Sequence, residues 1–250
     1  MPQPPDSSRA SPRIFTSQAL AEGLELQLEE GPSRHLTGAL RLLPGASICL
    51  FDGSGGEYAA TISLVERKRV SVQVGAFNAV ERESSLRVEL AIAVSRGERM
   101  DFIVQKCTEL GVSRISPLLS ERTEVKLKGE RLQKKIAHWQ QVASSACEQC
   151  GRNRVPQVAE LQPLSAWIAG AEAEHKLVLH HRSPQSLQGA GAPASVALLV
   201  GPEGGLSAAE IEAAEQAGFQ ALALGPRILR TETAPIAALS ILNYQWGDMH

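Results

Sequence analysis

Hydrophobic and polar positions follow two different rhythms along this 250-residue chain. In the first third, short apolar or alternating runs at 47–51, 57–64 and 69–74 predict closely spaced strands. The segment Asp52-Gly-Ser-Gly-Gly56 between the first two runs predicts a turn. Because no helical pattern separates these runs, we expect a small β-barrel or sandwich here.

Beyond the polar stretch 78–85, strand patterns alternate with helical patterns. Apolar runs predict strands at 87–94, 115–119, 176–180, 196–200 and 221–224, and helical spacing predicts helices over 98–110, 130–149, 207–217 and 231–246. Such alternation is typical of an α/β fold with a mostly parallel sheet. We therefore divide the chain into a disordered Pro- and Ser-rich tail (1–12), a β domain (13–80) and an α/β domain (84–250).

Two of the predicted helices carry informative details. In the helix over 98–110, helical spacing joins Phe102, Ile103, Lys106, Cys107 and Leu110 on one face. In the helix over 207–217, Ser207 and Glu210 form a capping-box pattern, so we expect the helix to begin there.

Composition limits the classes of function that fit the chain. Hydrophobic residues make up 43% and charged residues 21%, as in ordinary globular proteins. The net charge of −2 gives no global basic field, so a nucleic-acid partner must be held by local patches. No apolar run has the length of a membrane helix, and four cysteines without a signal peptide fit a reducing cytoplasm. We expect no membrane partner.

Two loops that leave predicted strands carry the most informative chemistry. They are Gly201-Pro-Glu-Gly-Gly205 and the segment from Leu224 to Ala234, which contains Arg227, Arg230 and Glu232. Ligands of open α/β sheets bind beyond the carboxyl ends of the strands, and glycines let a ligand approach the backbone. Each loop alone is also compatible with a plain strand-to-helix turn. Because the two loops together offer few fixed cations, they favour a sulfonium cofactor over a triphosphate. Backbone groups of the loops would read the adenine of such a cofactor.

Local basic clusters are the candidates for nucleic-acid contact. One cluster lies on and before the helix over 130–149, and a second follows that helix; together they contain Lys126, Lys128, Arg131, Lys134, Lys135, Arg152, Asn153 and Arg154. Arginine and asparagine pair well with phosphates and base edges, although a charge run is also typical of a solvated helix face. In the β domain, Arg13 and Arg34 are further candidates.

Metal binding is not expected. Cys147 and Cys150 form a C-x-x-C pair, but no second ligand pair follows at a suitable spacing. Small core or interface residues are the simpler interpretation of both cysteines.

Several segments, taken in their order along the chain, resemble those of a known protein family. The chain is similar, from about Arg13 to Met249, to the bacterial ribosomal RNA small-subunit methyltransferase E family, which belongs to the SPOUT methyltransferases. The segments that carry the resemblance are Ser95-Arg-Gly-Glu-Arg99, Gln105-Lys-Cys-Thr-Glu-Leu-Gly-Val112, Ser120-Glu-Arg122, Ala146-Cys-Glu-Gln-Cys-Gly-Arg-Asn-Arg-Val-Pro156, Gly201-Pro-Glu-Gly-Gly-Leu-Ser207 and Leu224-Gly-Pro-Arg-Ile-Leu-Arg-Thr-Glu-Thr-Ala234. The chain departs from many relatives at two positions. It has His181 where they have Pro, and Pro235 where they often have Thr.

The resemblance implies a fold and a reaction. The expected fold is an α/β SPOUT domain with a trefoil knot, preceded by a PUA-like β-barrel, in a homodimer. The expected reaction is methylation of N3 of uridine 1498 in 16S ribosomal RNA, free or in the small subunit, by S-adenosylmethionine. Two alternatives remain open at this point: a SPOUT enzyme for another RNA base or a ribose 2′-hydroxyl, and a non-catalytic RNA-binding module.

The resemblance also implies a set of site residues. Candidates for the chemistry are Arg230, which would stabilise the uracil anion, Glu232, which would orient that arginine or accept a proton, and Glu203, which would balance the sulfonium charge. The expected cofactor-binding residues are Leu179, His180, Val200, Gly201, Pro202, Glu203, Gly204, Gly205, Leu224, Gly225, Ile228, Leu229, Arg230, Thr231, Thr233 and Ala234.

Overall fold

A computed structural model describes residues 11–67, 69–125, 127–180 and 191–249. The chain divides into two compact units. The first comprises Met1–Arg82 and Cys147–Arg154, and the second comprises Glu83–Ala146 and Val155–His250. Most of the predicted disordered tail, Lys126 and His181 lie outside the described residues.

The first unit is built on a five-stranded sheet with the strand order β1-β3-β4-β5-β2. The pair β1·β3 is parallel, and the other pairs are antiparallel. A short helix and a π-helical turn follow β2. The elements are β1 (Arg13–Phe15), β2 (Glu25–Gln27), α1 (Glu30–Arg34), the π-helical turn (His35–Ala39), β3 (Ser47–Phe51), β4 (Glu57–Glu66) and β5 (Arg69–Asn78).

Alternation along the strands creates the core of the first unit. Val70, Val72 and Val74 of β5 are buried while their neighbours are more exposed, as the period of two requires. They belong to the same core cluster as Ile48 of β3 and Ile62 of β4. The three strand predictions in this region are confirmed, although β4 and β5 extend two and four residues further. The sequence pattern missed β1 and β2, because each has only three residues.

Polar contacts tie residues 147–154 to the first unit. The backbone N–H of Phe15 donates to Glu148 Oε1 at 2.9 Å. The Asn153 side chain, which is fully buried, accepts from Arg13 Nη2 at 2.5 Å and donates to the Val80 carbonyl at 2.9 Å. Arg13 also forms an ion pair with Glu57.

The second unit contains a seven-stranded, wholly parallel sheet. Its strand order is β12-β10-β11-β6-β7-β8, and β9 also pairs with β7. The strands are β6 (Arg87–Ala93), β7 (Arg114–Leu119), β8 (Gln157–Val158), β9 (Gln162–Pro163), β10 (His175–Leu179), β11 (Ser195–Val200) and β12 (Gln220–Leu222). The helices are α2 (Arg99–Glu109), α3 (Gly129–Cys150), α4 (Leu164–Gly170), α5 (Ala208–Gln216) and α6 (Thr233–Trp246). The last four residues of α3 fall in the first unit.

Helices cover both faces of this sheet. Leu90 and Ile92 of β6 pack in a cluster with residues of α2, α3 and α6, whereas Ala91 between them packs in a cluster with residues of α4 and α5. A strand that is buried on both faces needs a continuous apolar run, which is the pattern of β6 and β11. The prediction of a parallel α/β fold is confirmed.

The ends of α5 also follow the prediction. The Ser207 hydroxyl accepts from the Glu210 N–H at 3.3 Å, and the Glu210 carboxylate accepts from the Ser207 N–H at 2.8 Å. Gly218, after the helix, has a φ of 88°. This left-handed conformation suits glycine at a helix end.

Three other details differ from the prediction. Phe102 was expected on the packing face of its helix, but it is 45% exposed. The reason is that Met100, Ile103, Val104 and Cys107 already fill the buried face of α2. The last helix begins at Thr233 because residues 230–232 form a turn, and α4 was not predicted at all.

Among the described helices, none is both long and apolar enough to span a bilayer. Within the same residues, no cluster of three histidine, cysteine or carboxylate side chains has the arrangement of a metal site.

Candidate functional site

The carboxyl ends of three strands meet at one edge of the parallel sheet. The strands are β10, β11 and β12, which are neighbours in the sheet, so these ends lie side by side. Leu179 and His180 at the end of β10 and the loops after β11 and β12 line a cavity of about 940 Å³, here called the three-loop cavity after the three segments that follow these strands. Its lining consists of Arg122, Leu179, His180, Val200, Gly201, Pro202, Glu203, Gly204, Gly205, Leu206, Ile211, Leu222, Ala223, Leu224, Gly225, Pro226, Arg227, Ile228, Leu229, Thr231 and Ala234.

Nearly all the predicted cofactor-binding residues therefore come together in one place. The exceptions are Arg230 and Thr233, which do not line the three-loop cavity. Arg230 is exposed, and its carbonyl accepts hydrogen bonds from the N–H groups of Thr233 at 2.9 Å and Ala234 at 3.0 Å. Its backbone is thus fixed at the start of α6.

The glycines of the first loop are required for two different reasons. A Cβ atom on Gly201 would lie 2.9 Å from Leu206 Cγ and 3.0 Å from the backbone nitrogen of Leu206, so a side chain does not fit. Gly205 has a φ of 70°, which L-residues rarely adopt, and its N–H donates to the Pro202 carbonyl at 2.8 Å. The loop is therefore a tight turn that presents backbone to the cavity.

A neighbouring loop, which contains Arg122, holds this glycine turn. Arg122 Nη1 donates to the Gly204 carbonyl at 2.9 Å. The preceding residue, Glu121, donates its N–H to Glu210 Oε1 at 2.7 Å. Glu210 thus caps α5 and also anchors the segment that carries Arg122 to the cavity wall.

Glu203 stands in a local field that keeps it ionised. Burial raises the pKa of its carboxyl, but hydrogen bonds from its own backbone N–H, from the Arg96 N–H and from Arg99 outweigh burial and hold the pKa below its usual range. The Arg96 N–H and Arg99 Nη1 lie 3.1 Å and 2.7 Å from Oε1. A fixed negative charge therefore lies on the rim of the cavity.

Arg99 connects two of the residues predicted to take part in the chemistry. Its guanidinium contacts Glu203, and its Nε lies 3.9 Å from Glu232 Oε2. Arg99 belongs to the motif Ser95-Arg-Gly-Glu-Arg99, but no role was predicted for it. Spacing along the chain gives no signal for this contact, because Arg99 precedes Glu203 by more than 100 residues.

The predicted RNA-binding residues fall into two groups. Arg152 and Asn153 are buried, and Arg13 is mostly buried beside Glu57. Arg13 and Asn153 hydrogen-bond to each other within the first unit, and direct RNA contact by any of the three stays a prediction. The second group is accessible at the surface and consists of Arg34, Lys128, Arg131, Lys134, Lys135 and Arg154. Lys126 lies outside the described residues.

The three-loop cavity also has lining residues that were not predicted to bind the cofactor. They are Arg122, Leu206, Ile211, Leu222, Ala223, Pro226 and Arg227. Arg122, Leu206, Pro226 and Arg227 stand within the quoted motifs, so the signal was present for them. Ile211 on α5 is brought to the cavity by packing.

Comparison with known proteins gives the class of this protein. Residues 82–243 match an RNA methyltransferase domain family, and residues 30–75 match an RNA methyltransferase PUA domain family. The fold and the cavity thus belong to an RNA methyltransferase with an N-terminal PUA domain.

Full-length relatives narrow the class to one family. The chain is 32% identical over 246 residues to the ribosomal RNA small subunit methyltransferase E of Buchnera aphidicola subsp. Schizaphis graminum, covering 95% of this chain and 98% of that protein. It is 32% identical over 238 residues to the enzyme of the same name from Bacillus subtilis, covering 88% of this chain and 93% of that protein. The chain belongs to the ribosomal RNA small subunit methyltransferase E family.

Solved structures agree with this assignment. A methyltransferase from Legionella pneumophila, in complex with S-adenosylmethionine, superimposes with a TM-score of 0.93 at 40% identity, covering 96% of this chain and all of that one. The ribosomal RNA small subunit methyltransferase E from Neisseria gonorrhoeae, bound to S-adenosylmethionine, has a TM-score of 0.91 at 38% identity, with the same coverage.

Proposed function

We propose that this protein transfers a methyl group from S-adenosylmethionine to N3 of uridine 1498 in 16S ribosomal RNA. The observation that carries the proposal is the three-loop cavity, in which three neighbouring strand ends bring the segments expected from the sequence into one site. The relatives from Legionella and Neisseria, both bound to S-adenosylmethionine, support the choice of cofactor.

The cavity has the properties that this cofactor requires. Its volume of about 940 Å³ lies in the range of about 300–1,000 Å³ that is usual for small-molecule sites. Leucine, isoleucine and valine side chains supply apolar walls, and the glycine turn after β11 lets a neutral base approach the backbone closely. Glu203 adds a negative charge that suits a sulfonium cation.

The reaction requires the uracil N3 proton to leave. S-adenosylmethionine, when bound, supplies an activated methyl group. The protein must orient the base and stabilise the negative charge that grows on it. Arg230, which is exposed at the start of α6, has a guanidinium suited to that charge. Glu232, whose carboxylate lies 3.9 Å from Arg99 Nε, would accept a proton or orient an arginine.

We further propose the finer architecture of the family for this chain. The loops of the three-loop cavity would form a trefoil knot of the SPOUT type, and the sheet of the first unit would close as a PUA-like barrel. The unit boundaries would correspond to domains at 13–80 and 84–250. The protein would act in the cytoplasm on 16S ribosomal RNA or on the assembled small subunit.

A homodimer is part of this proposal and has support on α6. Leu239 and Leu242 of this helix are buried in the core, whereas Ile241 and Tyr244 are 43% and 72% exposed. A helix that is apolar on both sides is usually covered on both sides. A second copy of the chain would cover the exposed side.

Nucleoside mapping tests the proposed reaction. Unmodified 16S ribosomal RNA and small subunits assembled from it are incubated with the protein and labelled S-adenosylmethionine, and the products are analysed by mass spectrometry. We expect one methyl group on the base of uridine 1498, at N3. Methylation of a ribose or of another nucleotide would contradict the proposed target while leaving the class of enzyme intact.

A further inference from the structure

Phe102 is an aromatic side chain that the described fold leaves at the surface. It is 45% exposed on α2, whose opposite face is buried. A flat partner that covered this ring would remove apolar surface from water, which is favourable. This chain has only five phenylalanines, and most of the others pack within its cores or against other rings.

The Phe102 ring lines a second cavity of about 800 Å³, here called the Phe102 cleft. Residues 96–99, Glu232 and Thr233 form the rest of its wall. The cleft belongs to the second unit, as the three-loop cavity does. None of residues 201–205, which form the glycine turn after β11, lines this cleft.

One turn of the chain separates the cleft from the three-loop cavity. Thr231 and Ala234 line the three-loop cavity, whereas Glu232 and Thr233 between them line the Phe102 cleft. Arg99, in the wall of the cleft, contacts Glu203 on the rim of the other cavity. A group bound in the cleft would therefore lie next to the proposed cofactor site.

The charges of the cleft favour a neutral, flat ligand over a phosphate. Arg96 and Arg99 are offset by Glu98 and Glu232 in the same wall. Arg96 also pairs with Glu124, and Arg99 pairs with Glu203. The Thr233 hydroxyl and the Glu232 carboxylate can form hydrogen bonds with the edge of a base, and the Phe102 ring can stack on its face.

We propose that the Phe102 cleft binds one unpaired nucleotide of the substrate RNA, with its base stacked on Phe102. This inference rests on the proposed function, because it takes RNA as the substrate, and it adds a site for single-stranded RNA to the cofactor cavity. Base–aromatic stacking accepts every base, so the cleft would hold the strand in place and add little sequence discrimination.

Binding of a short RNA tests the proposal. The probe is a fluorescent single-stranded oligonucleotide with the 16S sequence around uridine 1498, and the full chain is compared with Phe102→Ala, Phe102→Trp and Leu119→Ala. Leu119 is a suitable control because it is 39% exposed in the same unit and lines neither cavity. Calorimetry with S-adenosylmethionine and thermal unfolding are measured for every variant.

The expected pattern is specific to stacking. Phe102→Ala should weaken RNA binding by about 5- to 150-fold, the measured range for loss of one stacked base. Phe102→Trp and Leu119→Ala should bind RNA about as the parent does, and cofactor affinity should be unchanged throughout. Annealing the oligonucleotide to its complement should remove the difference between the parent and Phe102→Ala.

Three results would overturn the proposal: equal RNA affinity of Phe102→Ala and the parent, an equal loss in Phe102→Trp, or a parent chain with no affinity for the single strand. A partner protein in the cleft would give the first result. Failure of the proposed function would give a result different from these three. If the parent transfers no methyl group to RNA but Phe102→Ala still loses RNA affinity, the reaction is wrong and the cleft assignment stands.

Discussion

Arg230 is the side chain that we expect to act on uracil as its N3 proton leaves. Negative charge is largest in the transition state, so a fixed guanidinium stabilises that state more than the bound substrate. We expect Arg230→Ala to slow single-turnover methyl transfer by about 10²-fold, the effect of losing one preorganised charge-stabilising donor. Dissociation constants for cofactor and RNA should change much less.

The pH dependence of the same variant separates catalysis from structure. Raising the pH should partly restore Arg230→Ala, because hydroxide then favours the deprotonated base, and Arg230→Lys should keep part of the rate. Quenched-flow measurements across pH would check both expectations. A near-normal rate, or a variant that simply fails to bind cofactor, would give Arg230 a structural role instead.

Glu203 gives a prediction in the acid range. Its pKa is lowered in the folded state, so its stabilising contribution is complete above the ordinary glutamate pKa of about 4.3 and is lost as the pH falls through the lower folded value. The difference in unfolding free energy between the parent and Glu203→Gln should be constant near neutral pH and should shrink below about pH 4.

Chemical denaturation at a series of pH values measures this difference. Glu172→Gln, at an exposed position, is the control and should show a smaller change across the same range. A difference between the parent and Glu203→Gln that grows toward acid would mean that Glu203 is not stabilised in its charged form.

At the scale of elements, the glycine turn after β11 offers a matched pair. Gly205 has a φ of 70°, whereas an added Cβ on Gly204 would make ordinary 3.5 Å contacts with Arg122. We expect Gly205→Ala to lower the unfolding free energy by about 1–2 kcal/mol, the strain of a left-handed L-residue. It should also weaken S-adenosylmethionine binding, whereas Gly204→Ala should change both little. Urea unfolding and calorimetry measure the two effects, and equal behaviour of the two variants would contradict this account of the turn.

At the scale of the whole molecule, the exposed side of α6 predicts the oligomeric state. The parent should sediment as a dimer, and Ile241→Asp or Tyr244→Asp should shift it to a monomer, since a carboxylate would be buried at the interface. Leu43→Asp is the control, because Leu43 is as exposed as Tyr244 but lies in the first unit. Analytical ultracentrifugation measures the oligomeric state. Dimers that persist in both α6 variants would exclude this side of α6 as the dimer interface.

RNA affinity should depend on salt despite the net charge of −2. Lys134 and Lys135 on α3 are accessible, and Lys134 pairs only with the exposed Glu130, 2.7 Å away, among the ion pairs of the described residues. Reversing both charges to glutamate should weaken RNA binding and reduce the slope of log affinity against log salt by about 1.4–1.8, as expected for two phosphate contacts. Cofactor affinity should stay the same. An unchanged slope would move the RNA surface elsewhere.

The sequence alone determined the features that depend on short stretches of chain. The buried strands β6 and β11, the capping box of Ser207 and Glu210 and the glycine turn after β11 were all predicted, because hydrophobic periodicity, helix capping and positive φ are local properties. The family followed from the order of motifs, and the knot belongs to that resemblance alone, since no periodicity indicates one.

Only the tertiary structure decided which distant residues meet. It placed 147–154 in the first unit, where Asn153 serves Arg13 as a buried hydrogen-bond acceptor. It set Arg99 between Glu203 and Glu232, and it turned Phe102 away from the core. The physical reason is that helical spacing determines which side chains share a face of one helix. It does not determine which other element of the fold packs against that face. That is fixed by packing between elements that are far apart in the sequence.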